Sequence, residues 1–151
     1  MKNYLTITPP LIPNKLARWL IPVDVHSPAI LKRAVYGIAL CFRREFKYDY
    51  LQYGYNGWES DPNHHAFLWV DTHRGEYFPK SPCVGATCFR WREYPDGHKG
   101  WGMQWLWFHP YYRRTGLLSR TWDMFHEQFG DFELEKPLSD AMKQFLAKTH
   151  K

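Results

Sequence analysis

Long apolar runs are missing from this chain: the longest, such as Tyr36 to Phe42, is far too short to span a bilayer, so no membrane role is expected. Cysteine is scarce and odd in number, at positions 41, 83 and 88, which argues against a disulfide framework. No N-terminal stretch joins a basic start, an apolar run and a small-residue cleavage site, and together these point to a reducing, cytoplasmic setting. Neither a G-x-S-x-G elbow nor a Cys–His family signature occurs, which removes the common covalent hydrolases. Repeats, low-complexity tracts and linkers are also absent, so residues 1–151 are expected to form a single domain. A metal is not expected either. His64 and His65 are adjacent on a strand and point to opposite faces, and Cys83-x4-Cys88 has no second matched pair to combine with them or with His73.

What is abundant is aromatic. Aromatic residues make up 19% of the 151, including eight Trp, against 23% charged. That composition belongs to a globular domain with a real core, despite a mean hydropathy of −0.57. The formal charge of +5 suits an anionic cofactor, an acidic acceptor or nucleic acid, and its sign does not choose among them.

Along the chain, Tyr4 to Thr8 alternates as a short strand before the Pro9-Pro10 break, and Asn14 to Leu20 reads as a short helix ended by Pro22. Ser27-Pro28 then looks like an N-cap with proline in the first turn. It opens a helix whose buried face is Ile30, Leu31, Ala34, Val35, Ile38, Cys41, Phe42 and Phe46. The Tyr- and Gly-rich stretch from Tyr48 to Asn63 reads as loop. His64 to Asp71 reads as a strand, and a second arm near Tyr77 is interrupted by Pro79 and Pro82.

The most informative stretch is 84–129. Two strands, 84–93 and 101–110, flank a YPDGHKG turn, and a helix follows with Leu118, Trp122, Phe125 and Phe129 on one face. Gly130 should cap that helix, Phe132 to Glu135 should form a strand, and Ser139 should cap a last helix. At the join lies Arg113-Arg114-Thr115-Gly116-Leu117-Leu118-Ser119-Arg120. The unpaired N–H groups of a helix start, a glycine that admits an anion, and Arg113, Arg114 and Arg120 nearby together suit a pyrophosphate.

Arg113-x-x-Gly116-x-Leu118 resembles the coenzyme A signature of the GNAT superfamily of N-acetyltransferases, with Leu118 where that family prefers Gly or Ala. The eight-residue run is also similar to the Arg-Arg-x-Gly-Ile-Ala-Ser-Arg loop of the cohesin acetyltransferases, whose zinc finger and final-loop acid are not matched here. The resemblance implies a GNAT-like single α/β domain: a mixed, mostly antiparallel central sheet flanked by helices. It implies acetyl-CoA as co-substrate, held by Trp107, Phe108 and His109 on the strand and by Arg113, Arg114, Thr115, Gly116, Leu117, Leu118, Ser119 and Arg120 at the loop. The implied reaction is direct attack of an amine on the thioester in a ternary complex. The acceptor, a protein, an aminoacyl-tRNA or a small molecule, stays open, as does a homodimer, and the 48–58 aromatics are a candidate acceptor surface.

The catalytic groups are harder to read. The strand position where some relatives carry a glutamate base falls on Gly102, with Gln104 next on the same face. His109 is the candidate base because imidazole titrates near neutrality; the resemblance implies a Tyr acid on the last helix, but no Tyr follows Tyr112, which leaves Ser139 or His150 as the candidate acid. Two other readings remain in view: a basic, aromatic nucleic-acid-binding module, and a silent protein that binds coenzyme A without turnover.

Overall fold

The structure, a computed structural model, describes residues 7–47, 62–73, 79–135 and 139–149. Its strands are β1 (Leu11–Pro13), β2 (Leu20–Val23), β3 (His64–Val70), β4 (Lys80–Glu93), β5 (Lys99–Phe108) and β6 (Glu133–Leu134). Its helices are α1 (Ala29–Phe46), α2 (Leu117–Phe129) and α3 (Asp140–Thr149). The sheet runs β2-β3-β4-β5-β6, with β1 paired to the start of β4. Every pairing is antiparallel except β5 with β6, so the sheet is mixed and mostly antiparallel, as expected.

Side-chain alternation divides the interior in two. Ala66, Leu68 and Val70 of β3 pack with Val35 and Ile38 of α1 on one face. Phe67 and Trp69 turn the other way, onto Phe125 and Phe129 of α2 and Met142 of α3. His64 and His65 obey the same rule: His64 meets Gln104 on the α1 face, and the His65 ring lies 5.2 Å from Trp101 on the other. Among the described residues no helix is long and apolar enough to cross a membrane, and no group of three or more His, Cys, Asp or Glu gathers to hold a metal.

Several elements differ from the sequence reading. Ile7 and Thr8 form no strand, and the rest of that expected strand lies outside the described residues, as do 48–61, Tyr77 and His150. The first strand is instead Leu11–Pro13, directly after the diproline. The expected 14–20 helix is a single 3-10 turn at Asn14–Leu16, followed by β2, whose Ile21 and Val23 are buried. Pro22 is tolerated there because β2 is an edge strand, where one side needs no ladder N–H. Pro82 sits inside β4, opposite Leu11, where the expected interruption does not occur. Ser27 does not cap α1. Pro28 holds the N-cap position, and Ser27 Oγ accepts the Asp24 N–H at 2.9 Å in the preceding turn.

Candidate active site

The site is built along β5. Among the described residues β6 pairs with β5 at Gly102–Glu133 and Met103–Leu134, and the Glu135 N–H bonds Met103 O at 3.0 Å. β5 itself continues to Phe108. On its other side the register shifts, since Cys88 faces Trp105 while Phe89 faces Met103, which makes Gln104 an extra residue. A bulge of this kind bends β5 and sharpens its local twist.

The open edge carries backbone donors. The His109 N–H reaches Val84 O at 2.8 Å and Trp105 O accepts Thr87 Oγ1 at 2.7 Å, so residues 105, 107 and 109 point their amides at β4. Alternation then turns the N–H and C=O groups of Leu106 and Phe108 to the other side. Arg113 Nε, bonded to Phe108 O at 2.8 Å, marks that side. Of the three residues expected to hold pantetheine, 107, 108 and 109, only Phe108 offers outward backbone groups, and Leu106 shares that orientation.

A cleft of about 1050 Å³ opens along this edge, with Phe42 and Phe46 of α1, Trp105 and Phe108 of β5 and Phe145 of α3 among its walls. At one end stands the start of α2. Gly116 takes the N-cap position with φ 86°, no side chain caps the helix, and its first turn has no acid. Arg120 N–H bonds Gly116 O at 3.0 Å, and the N–H groups of Leu117, Leu118 and Ser119 before it have no intrahelical partner. All four residues from Gly116 to Ser119 line the cleft. A Cβ at Gly116 would meet nothing within 4 Å, so the left-handed backbone is what favours glycine, and the space beside it is open. Thr115 Oγ1 bonds Tyr112 O at 2.6 Å and steadies the loop.

The arginines divide their work. Arg113 clasps Glu45 with both terminal nitrogens, at 2.5 and 3.1 Å, and its guanidinium lies 5.5 Å from the Trp107 ring centre. Glu45 also accepts Trp107 Nε1 at 2.9 Å. Arg113 thus ties the end of β5 to the last turn of α1, and its charge is already matched. Arg120 lies over the Trp19 ring at 4.7 Å and does not line the cleft. Arg114 does line it, together with Lys148 of α3, a cation that sequence reasoning missed.

His109 is not placed as a base. It is outside the cleft lining and only 5% exposed; Nδ1 accepts the Tyr111 N–H at 3.2 Å, and Nε2 lies 3.1 Å from Ile7 O, to which it donates. With Nδ1 accepting and Nε2 donating, the neutral ring has no spare lone pair. Ser139 does line the cleft, and its Oγ accepts the Met142 N–H at 3.1 Å, which makes it the expected cap of α3.

Neighbouring elements close over Gly102 from the side. A Cβ on Gly102 would lie 2.3 Å from Tyr94 Oη and 3.0 Å from Glu135 Oε2. A tyrosine hydroxyl and a carboxylate therefore fill the space that a side chain at 102 would take. Arg92 Nη1 holds both Glu135 oxygens at 2.8 Å, and the Glu135 side chain is 14% exposed on the cleft wall. Tyr94 Oη is buried without a hydrogen-bond partner. Burial raises the Tyr94 phenol above its ordinary value, and the Glu135 and Glu133 carboxylates raise it further. Nothing in the sequence joins Glu135 to Gly102, because the link is made only by the parallel β5–β6 pairing.

No family model and no curated protein sequence matches the chain. Solved structures do. A ribosomal-protein-alanine N-acetyltransferase from Brucella melitensis biovar Abortus superposes with a TM-score of 0.54 at 14% identity, over 85% of this chain and 88% of that one. The xEco2 acetyltransferase domain, bound to a CoA conjugate, gives a TM-score of 0.58 at 12% identity over 87% and 86%. An aminoglycoside 6'-N-acetyltransferase from Acinetobacter baumannii gives 0.53 at 13% over 86% of each chain. The chain has the fold of the GNAT N-acetyltransferases.

Proposed function

We propose that this protein transfers an acetyl group from acetyl-CoA to an amine. The observation that supports this reading is the joining, in one cleft, of a strand edge with outward amides to the uncapped start of α2. The pyrophosphate lies at the N–H groups of Leu117, Leu118 and Ser119, with Arg114 and Lys148 as the cations beside it. The pantetheine arm runs along Leu106 and Phe108, pairing its amides with their outward backbone groups.

The acceptor arrives as an ammonium and gives one proton to Glu135, directly or through water. Its nitrogen lone pair adds to the thioester carbonyl carbon, and an outward β5 N–H steadies the oxyanion. The C–S bond then breaks with its electron pair on sulfur. The nitrogen loses its second proton and the sulfur takes one, relayed by the Ser139 hydroxyl, whose own hydrogen is free to donate. The products are the acetamide, coenzyme A thiol and one proton left on Glu135. Most of the acceleration comes from holding the two reactants in line, with Arg92 fixing the carboxylate.

Acetyl transfer to a panel of amines, followed by thiol release and by mass, tests the reading. Turnover by the wild type, with Glu135→Gln reduced about 10²- to 10⁴-fold, is the expected result. Turnover unaffected by Glu135→Gln removes the carboxylate from the mechanism, and no turnover with any amine rejects the activity.

A further inference from the structure

The β5 bulge also carries a buried amide. Gln104 is 5% exposed, lines the cleft, and its Nε2 has no hydrogen-bond partner. Its other end is fixed, because Oε1 accepts from His64 Nε2 at 3.1 Å, and His64 is itself 2% exposed. With the His64 proton on Nε2, the amide oxygen is used and two N–H donors are left over. Unmet donors at that depth are costly, and a ligand oxygen that satisfies them recovers the loss.

The position of Gln104 says what such an oxygen belongs to. Met103 packs on the α2 face, so Gly102 and Gln104 share the α1 face, two residues apart on one strand. On that same face the Glu135 carboxylate sits beside Gly102, within 3.0 Å of where a Cβ would stand. A carboxylate that accepts a cationic nitrogen and an amide that offers N–H groups thus share one face of β5, the carboxylate coming from the β6 side and the amide reaching towards β3. Resting on the acetyl-transfer reading, we propose that the acceptor is an α-amino acyl group, as at a polypeptide N-terminus, with its ammonium at Glu135 and its first carbonyl oxygen on Gln104 Nε2. Diamines and lysine side chains carry no such carbonyl beside the reacting nitrogen and leave Gln104 unmatched. An amide of this kind discriminates strongly, since the analogue without the oxygen leaves a buried donor unmet.

The test compares two short peptides, one ordinary and one with the first carbonyl reduced to a methylene, on the wild type and on Gln104→Leu. The two amines differ in basicity, but that difference cancels when the same pair is given to both proteins. The expected result is a wild-type kcat/KM ratio, ordinary over reduced, about 10- to 100-fold above that of Gln104→Leu. Equal ratios in the two proteins overturn the proposal, and so does a wild type that acetylates a simple diamine as well as the ordinary peptide. The rise in Tm on adding coenzyme A reports whether Gln104→Leu keeps its fold, and the wild-type comparison of peptide against diamine stands without that variant. If aminoacyl esters are acetylated and peptides are not, the polypeptide assignment is wrong. If the wild type neither responds to coenzyme A nor acetylates any amine, the proposed function itself has failed, a result distinct from all of these.

Discussion

Arg113 and Glu45 form a two-pronged ion pair, at 2.5 and 3.1 Å, across the 68 residues that separate them in the chain. It binds the loop after β5 to the C-terminal turn of α1, beside the Trp107 indole that Glu45 also holds. Both side chains are partly screened from water, at 30% and 16% exposure. Arg113 therefore positions the loop that leads into α2, with its charge matched by Glu45.

Removing the carboxylate should unsettle that whole corner. Glu45→Ala leaves a half-buried guanidinium and an indole N–H without their acceptor, at a cost of about 2–3 kcal/mol. For a domain of this size that is a fall of roughly 5–10 °C in Tm, readable by thermal unfolding. Glu45→Gln, which keeps an acceptor oxygen, should lose less. An unchanged Tm in Glu45→Ala would show that the pair contributes nothing to the fold.

Gly102 should refuse even a methyl group. A Cβ there would stand 2.3 Å from Tyr94 Oη, so Gly102→Ala must push the phenol aside and disturb Glu135 next to it. Acetyl transfer by Gly102→Ala should drop at least tenfold, while adding Tyr94→Phe, which removes the hydroxyl, should restore part of it. A single variant as active as the wild type would contradict this account of the acceptor end.

The β4–β5 turn grips β6 through a titrating group. His98 Nδ1 pairs with Asp96, its Nε2 lies 2.9 Å from Glu133 Oε1, and its ring stacks on Tyr94 at 4.7 Å. The bond to Asp96 raises the imidazole above its ordinary value, with Glu133 adding to the rise, while the bonds from His98 hold the Asp96 carboxyl below its own. A raised folded value means that the imidazolium stabilises fully below the unfolded value of about 6.5, and that this fades as pH climbs through the folded value. Asp96 acts in the opposite sense, its contribution being lost as pH falls through its depressed value. The clip should therefore be strongest in mildly acidic solution. The Tm difference between wild type and His98→Gln, followed from pH 5 to 9, should shrink as pH rises, and an NMR titration of the ring should midpoint above 6.5. A midpoint at or below the ordinary value would disprove the clip.

Local pattern carried the sequence reading where the chemistry was local. The 84–129 hairpin and helix were legible because strand alternation, a glycine turn and helical spacing agree there, and Ser139 announced itself as the α3 cap. β2 was hidden because Pro22 reads as a breaker, and only the sheet order shows that it lies on an edge. The contacts of Glu45, Glu135 and Gln104, and the place of Lys148 on the cleft wall, join distant segments, which no spacing rule reveals. The His109 expectation failed for the same reason: its ring is satisfied by Ile7, 102 residues earlier.

The central claim is that the amides at the start of α2 seat the diphosphate of a coenzyme A thioester, and calorimetric titration of acetyl-CoA into the wild type and Gly116→Asp measures this directly. Aspartate enters the left-handed region more readily than most side chains but still at a cost in stability, so an unchanged far-ultraviolet circular dichroism spectrum is the check that α2 stays in place, while its carboxylate takes the N–H groups that the phosphates need. The account predicts saturable one-to-one binding by the wild type and at least tenfold weaker binding by Gly116→Asp. Equal affinity in both proteins, or no heat of binding in the wild type, would contradict it.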